Sequence, residues 1–189
     1  MKILHLEDNL TDAMLVRELL TKEWPDCEID AVSTREAFLQ GLTRRQHDII
    51  LSDFTLGGFD GYTALQLAQE HSPTTPFVFL SGTIGEEQAI AAVRAGAADY
   101  VIKDRMKRLI TAIHRAVREA REQKKREAAE AALRASEQNY RTLFDQANDG
   151  ICIIGPDGRL LDVNARGCEM LGYPRAEFLG RNFAEFIVP

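Results

Sequence analysis

The sequence predicts an α/β domain with a doubly wound, five-stranded parallel sheet in the order 2-1-3-4-5. Three observations predict it. Short apolar runs alternate with helical patterns five times within about 120 residues. Four of these runs end in polar side chains, as parallel strands do at the edge where open α/β sheets bind ligands. A stretch without proline or glycine then runs from 105 to 145, which indicates one long helix.

The first two strands comprise residues 2–7 and 27–32. Asn9 is the predicted N-cap of the helix between them. Ser33 and Glu36 have the spacing of a capping box, so we expect the second helix to begin there. His5 falls inside the first strand and is expected in the core or on a face of the sheet.

The third strand leads to Asp53, and the glycine-rich segment 55–61 after it is a predicted loop. A third helix ends before Pro73. The fourth strand runs to Ser81, and the fourth helix stops near Gly96. A short fifth strand comes next and leads into the long helix.

The long helix carries a thin apolar seam with heptad-like spacing in its second half. The seam comprises Ala129, Leu133, Ser136, Tyr140 and Leu143. This spacing predicts a coiled-coil linker and a parallel homodimer. The alternative is a single solvated helix rich in Ala, Glu, Lys and Arg.

The stretch after the linker, 146–189, predicts a hairpin from 151–154 and 160–163, followed by two short helices. So few residues make a marginal hydrophobic core on their own. We therefore expect an α+β domain that is cut short here.

Bulk properties limit the classes of function. The net charge of -6 gives no general reason to expect nucleic-acid binding. Cys27, Cys152 and Cys168 are odd in number and lack metal-ligand spacing, which favours a reducing compartment. No apolar run is long enough for a membrane span, and no signal peptide is visible, so we expect a cytoplasmic protein without membrane contact.

Carboxylates converge at the predicted sheet edge. Glu7 and Asp8 follow the first strand, and Asp53 ends the neighbouring third strand. Carboxylate oxygens suit Mg²⁺, or Mn²⁺ in its place, and the backbone carbonyl of Thr55 is a candidate further ligand. The alternative is that Glu7 and Asp8 only precede the cap of the first helix.

Asp53 is a candidate nucleophile toward phosphorus. Phosphoryl transfer needs positioning and charge neutralisation, which Lys103 after the fifth strand and the Ser81 hydroxyl can supply together with backbone N–H groups of Gly82 and Thr83. The alternative is a surface lysine and a hydroxyl that caps a strand end.

Residues 1–120 resemble the receiver domain of bacterial response regulators, which has a flavodoxin-like fold. The matching motifs are Leu6-Glu7-Asp8, Asp53, Asp60-Gly61, Leu80-Ser81-Gly82-Thr83, Ala95 to Tyr100, and Lys103. The resemblance implies Mg²⁺-dependent phosphoryl transfer to Asp53 from a phosphohistidine on a sensor histidine kinase or phosphotransfer protein. It also implies a switch in which Ser81 moves toward the phosphoryl group and Tyr100 changes rotamer. The surface of helix four, strand five and helix five would then change.

Two positions depart from the family pattern. Gly57 stands where the family often has proline, which predicts a looser loop after Asp53. Asp104 follows Lys103 where the family usually has a proline after a cis bond. We expect a trans bond there, because a cis bond without proline costs about 3 kcal/mol.

The later residues resemble the beginning of a PAS sensory domain. The motifs are Tyr140 to Phe144, Asn148 to Ile151, Asp157-Gly158, Val163-Asn164, and Leu171 to Pro174. The strands that complete the ligand cavity of that family are absent, so the residues define no PAS ligand. We expect a receiver at 1–120, a linker helix at 105–145 and a PAS segment at 146–189.

Two other functions compete with a signalling switch. A magnesium-dependent phosphatase of the haloacid-dehalogenase type also uses a strand-end aspartate, but it needs an aspartate two residues later, where this chain has Thr55. An unphosphorylated dimerisation scaffold is the other alternative. We expect no enzyme within this chain, and an output such as a histidine kinase or a cyclic-nucleotide enzyme beyond Pro189.

Overall fold

The computed structural model describes residues 1–82 and 86–186. The chain divides into two compact units, Met1–Arg126 and Glu127–Pro189.

The first unit contains a five-stranded, wholly parallel sheet in the order β2-β1-β3-β4-β5, which confirms the predicted fold class. The strands are β1 (Lys2–Leu6), β2 (Glu28–Val32), β3 (Ile49–Asp53), β4 (Phe77–Ser81) and β5 (Asp99–Ile102). The helices are α1 (Leu10–Glu23), α2 (Arg35–Arg44), α3 (Gly61–His71), α4 (Glu86–Arg94) and α5 (Lys107–Gln146), the last of which continues into the second unit.

Both faces of the sheet are buried, which explains the continuous apolar runs of β3 and β4. Successive side chains of a strand point to opposite faces. Ile49 and Leu51 accordingly pack with α1 and α5, whereas Ile50 between them packs with α2 and α3. The central strands are thus fixed from two sides, and their carboxyl ends are held in register.

Local side chains determine where the helices begin. Asn9 caps α1 as predicted, since its side chain accepts hydrogen bonds from the N–H groups of Thr11 and Asp12. The predicted Ser33 cap of α2 is wrong. Thr34, one residue later, accepts from the Ala37 N–H at 3.2 Å, and the position three residues after it holds alanine, so no capping box forms.

The connection from β5 to α5 is a single 3-10 turn, Lys103–Arg105. No cis peptide bond occurs among the described residues, so the bond before Asp104 is trans, as expected. No helix in the described part of the chain has the length and apolar character needed to cross a membrane.

The second unit contains an antiparallel hairpin and short helices, in agreement with the predicted α+β segment. The elements are β6 (Cys152–Ile154), β7 (Leu160–Val163), α6 (Ala165–Leu171), α7 (Arg175–Phe178) and a 3-10 turn, Phe183–Glu185. Its core is small and centres on Leu160, Val163 and Phe178.

Asn164 is the polar centre of this second unit. Its buried amide donates to the carbonyl oxygens of Phe144 at 2.8 Å and Asp149 at 2.9 Å. Its side-chain oxygen accepts from the N–H groups of Ile151 and Gly167, both at 2.8 Å. One side chain therefore joins the end of α5 to the start of the hairpin and of α6.

Candidate functional site

The carboxyl ends of four parallel strands bring the candidate residues to one edge of the sheet. Asp53 in β3 pairs with Leu80 in β4, the residue before Ser81. Ser81 in turn pairs with Ile102 in β5, the residue before Lys103. Glu7 and Asp8 directly follow β1, the other neighbour of β3. The strand ends alone therefore carry these side chains toward Asp53.

Lys103 contacts three carboxylates. Its ammonium donates to Glu7 Oε2 at 2.7 Å, to Asp12 Oδ2 at 2.5 Å and to Asp53 Oδ2 at 3.0 Å. Burial alone would lower the pKa of Lys103, but these hydrogen bonds, with the Asp12 bond first, raise it well above its ordinary value. Lys103 therefore keeps its positive charge beside the candidate nucleophile.

The Glu7 carboxylate is almost completely buried, with 1% of its side chain exposed. Burial raises the pKa of Glu7, and the charge of Asp53 acts in the same direction. Hydrogen bonds from Lys103 and from the Asn9 N–H oppose this rise. A buried carboxylate close to a second one is stabilised by any cation that enters.

Glu7, Asp8 and Asp53 form a group that fits a divalent cation. Each offers one carboxylate oxygen, and these oxygens lie within 4.8 Å of one another. Asp8 also accepts from the Gly57 N–H at 2.6 Å, which joins the loop after Asp53 to the segment that follows β1. A set of oxygen donors with an exposed member at Asp8 suits Mg²⁺, which keeps several waters.

Thr55 lies in the loop directly after Asp53. Its N–H faces the Asp53 carboxylate, with 3.4 Å between the nitrogen and Oδ1. The role of its carbonyl oxygen as a metal ligand stays a prediction.

Ser81 and Tyr100 are both buried beside this edge. The Tyr100 hydroxyl lies near the Ser81 hydroxyl but forms no hydrogen bond of good geometry with any described residue. Burial raises the pKa of Tyr100, and the charge of Asp53 adds to the rise. A buried hydroxyl without a partner has a weak preference for its present position, because it loses no protein hydrogen bond on moving.

Gly82, next to Ser81, lies at the surface. A Cβ built at Gly82 would meet no heavy atom of the described residues within 4 Å, so the space beside this backbone is open. Thr83, the other predicted N–H donor, lies outside the described residues.

Asp12 and His5 belong to this region, but the sequence analysis did not assign them to it. Asp12 lies in the first turn of α1, which begins shortly after Asp8. His5 is fully buried in β1, and this burial lowers its pKa, with a further contribution in the same direction from the charge of Lys103. The place of Asp12 in the first turn of the helix that follows Glu7 and Asp8 could have indicated it, whereas no sequence pattern indicates the surroundings of His5.

The cysteines of the second unit have no such role. Cys152 and Cys168 pack partly buried against the Leu160, Val163 and Phe178 core. Burial raises the pKa of both thiols, so neither is an activated thiolate.

Comparisons with known proteins agree with this geometry. The family model of the response regulator receiver domain matches residues 3–114, and that of the PAS domain matches residues 138–189. The regulatory protein LuxO of Vibrio cholerae is 34% identical over 116 residues, which are 61% of this chain and 25% of LuxO. A protein-glutamate methylesterase/protein-glutamine glutaminase of Archaeoglobus fulgidus is 34% identical over 105 residues, 54% of this chain and 30% of that protein.

Among solved structures, NtrX from Brucella abortus superimposes with a TM-score of 0.60 at 28% identity, over 69% of this chain and 29% of NtrX. The chain thus matches between a quarter and a third of the length of these relatives. The receiver match alone covers more than half of this chain. The chain therefore belongs to the response regulator receiver domain family of two-component signalling, and it carries a PAS domain segment after the receiver.

Proposed function

We propose that Asp53 accepts a phosphoryl group, in a Mg²⁺-dependent reaction, from a phosphohistidine on a sensor histidine kinase or phosphotransfer protein in the cytoplasm. Mn²⁺ is expected to replace Mg²⁺. The observation that carries the proposal is the set of groups around Asp53. Lys103 Nζ lies 3.0 Å from its carboxylate, and oxygens of Glu7 and Asp8 lie within 4.8 Å of it.

Each group has a chemical role in this transfer. An Asp53 oxygen forms the new O–P bond while the P–N bond of the donor breaks, and the imidazole keeps the electron pair of that bond. Glu7, Asp8, Asp53 and the Thr55 carbonyl would hold Mg²⁺, which would supply neutralisation of the phosphoryl charge. Lys103 supplies a second positive charge.

Ser81 and the backbone beside it provide further hydrogen-bond donors for the phosphoryl group. The Ser81 hydroxyl and the N–H groups of Gly82 and Thr83 donate to phosphoryl oxygens. When Ser81 turns toward the phosphoryl group, the Tyr100 hydroxyl changes its neighbour and its rotamer. Because that hydroxyl has no hydrogen bond to lose among the described residues, the change costs little.

We propose that this change alters the surface of α4, β5 and α5 and so regulates the PAS segment and any output module joined to it. In this organisation, residues 1–120 are the receiver, 105–145 the linker helix and 146–189 the PAS segment. The receiver acts as a phosphoacceptor and not as an enzyme, and any enzymatic output lies in a further part of the protein.

We further propose a homodimer through the second half of α5. Leu133 and Leu143 leave 60% and 64% of their surface exposed, and Tyr140 lies with them on the predicted seam. Large apolar side chains at heptad-like spacing pack well against a second copy of the same helix. Light scattering with and without beryllofluoride and Mg²⁺ tests both the dimer and its response to phosphorylation.

The central test is phosphorylation by acetyl phosphate, followed by intact-protein mass spectrometry. With Mg²⁺ we expect one added phosphoryl group on the wild-type chain, and none on Asp53→Asn. Asp26→Asn, which removes an exposed carboxylate in the turn after α1, is the matched control and should be phosphorylated normally. A wild-type protein that stays unmodified, or an Asp53→Asn protein that is modified equally, would contradict the proposal.

The same experiment separates the alternatives. A phosphatase of the haloacid-dehalogenase type would release phosphate with many turnovers, and the receiver family match together with Thr55 does not favour it. A purely structural scaffold would take up no phosphoryl group and would keep its signalling output in Asp53→Asn.

A further inference from the structure

The ammonium of Lys103 contacts two of the three carboxylates that would hold a cation. Two of its three partners, Glu7 and Asp53, belong to the group of oxygens that fits a divalent cation. Its third partner, Asp12 in the first turn of α1, stands outside that group and makes the shortest of the three hydrogen bonds, at 2.5 Å. Lys103 thus contacts two candidate metal ligands and one carboxylate, that of Asp12, which is not a candidate metal ligand.

A divalent cation at this site and the Lys103 ammonium would both draw on the negative charge of the Glu7 and Asp53 carboxylates. A cation among Glu7, Asp8 and Asp53 attracts their charge and repels the ammonium at short range. The ammonium must then give up at least part of its contact with Glu7 and Asp53. Without a nearby anion, this displacement would oppose binding of the cation.

Asp12 offers that anion. Its Oδ2 already contacts Lys103, and its side chain is 30% exposed, so it keeps room to follow a movement of the lysine. The flexible stem of lysine lets the ammonium turn toward one carboxylate without a change of the backbone. Asp12 also keeps the ammonium close to Asp53, where the incoming phosphoryl group needs a positive charge.

We propose that Asp12 is a positioning residue that holds Lys103 when the cation site is filled, and that it thereby raises the affinity of the site for the cation. The proposal rests on the proposed function, because it assumes a divalent cation at Glu7, Asp8 and Asp53. In this proposal Asp12 raises the cation affinity through its contact with Lys103. A general electrostatic effect of the Asp12 charge on the cation would not need Lys103.

A double-mutant cycle separates these two effects. Mn²⁺ affinity of the full chain is measured by electron paramagnetic resonance for wild type, Asp12→Asn, Lys103→Met and the double variant. We expect Asp12→Asn alone to weaken Mn²⁺ binding roughly tenfold, and to have an effect of about twofold or less in the Lys103→Met background. Asp12→Glu, which restores the carboxylate, should recover most of the affinity.

Two controls test whether a loss of Mn²⁺ affinity is specific to Asp12 and whether each variant is folded. Asp26→Asn should bind Mn²⁺ as the wild type does, and urea unfolding followed by Trp24 fluorescence shows that each variant is folded. If wild type binds Mn²⁺ and Asp12→Asn loses equal affinity with and without Lys103, or loses none, the inference is overturned and the proposed function stands. If wild type binds neither Mn²⁺ nor Mg²⁺, the proposed function itself is overturned.

Discussion

His5 makes the stability of the receiver unit depend on pH in a defined window. It lies in β1 between β2 and β3, and neither ring nitrogen has a hydrogen-bond partner among the described residues. Burial lowers the pKa of His5 from 6.5 to about 4, and the charges of Lys103 and Arg17 act in the same direction. The imidazole is therefore neutral in the folded chain at neutral pH.

The pKa values of His5 in the unfolded and the folded chain determine the sign and the size of its effect on stability. The unfolded chain binds a proton at His5 near pH 6.5, whereas the folded chain does not until about pH 4. Stability is thus unaffected by this residue above pH 6.5 and falls as the pH drops toward 4. The full loss is roughly 3 kcal/mol, since each pH unit is worth about 1.4 kcal/mol, and about 2 kcal/mol of it has occurred at pH 5.

The test compares wild type with His5→Leu at pH 7.5 and pH 5.0. Trp24 is the sole tryptophan and packs against the core of the receiver unit, so its fluorescence reports urea unfolding of that unit. Between the two pH values we expect the wild type to lose about 2 kcal/mol more free energy of unfolding than His5→Leu. Chelator in both samples keeps cation binding out of the comparison.

The difference between the two proteins isolates His5 from other titrating groups. Glu7 acts in the opposite direction, because its raised pKa lets the folded chain keep a proton that the unfolded chain has released. This contribution is common to both proteins. At pH 7.5 the leucine variant should be at least as stable as wild type, because two unpaired buried nitrogens are removed. Equal losses in both proteins would refute the assignment of a lowered pKa to His5.

Three further predictions concern docking, packing and the second unit. Leu10→Ser with Met14→Ser, which removes an exposed apolar pair from α1, should slow phosphorylation by a phosphohistidine protein roughly tenfold and leave the acetyl phosphate rate unchanged. Gly61→Ala should cost about 1–3 kcal/mol in urea unfolding, because its Cβ would lie 2.8 Å from an aromatic ring and 2.9 Å from a backbone carbonyl oxygen, whereas Gly58→Ala, in open space, should be neutral. Asn164→Ala should destabilise the second unit by about 2 kcal/mol or more and raise amide hydrogen exchange at 144–167, since it leaves buried backbone groups unpaired.

The fold could be predicted because its determinants are local and repeated. Each apolar run is too short for a helix and is bounded by helical patterns, which leaves a parallel sheet as the consistent solution. The first residue of a helix is harder to predict where two neighbouring residues can both act as its cap. Ser33 and Thr34 both carry a hydroxyl, and only the backbone conformation decides that Thr34 is the cap of α2.

The site could be predicted in part for the same reason. Parallel strands with known order bring their carboxyl ends together, so Glu7, Asp53 and Lys103 could be expected to meet before any distance was known. Asp12 could not be placed in this way, because it reaches the site from a helix and through the direction of its side chain. The unpaired Tyr100 hydroxyl depends on a rotamer, which no sequence pattern specifies.

The net negative charge of the site implies that a cation must bind before a phosphoryl donor can approach. The site holds four carboxylates, those of Glu7, Asp8, Asp12 and Asp53, and one ammonium, that of Lys103, which contacts three of them, so its formal charge is −3. A phosphoryl donor brings further negative charge to this place and is repelled unless a cation enters first. We therefore expect chelator to abolish phosphorylation of the wild type by acetyl phosphate. Phosphorylation at an undiminished rate in chelator would mean that Lys103 alone neutralises the transition state, and the excess of carboxylates would then have no role in the transfer.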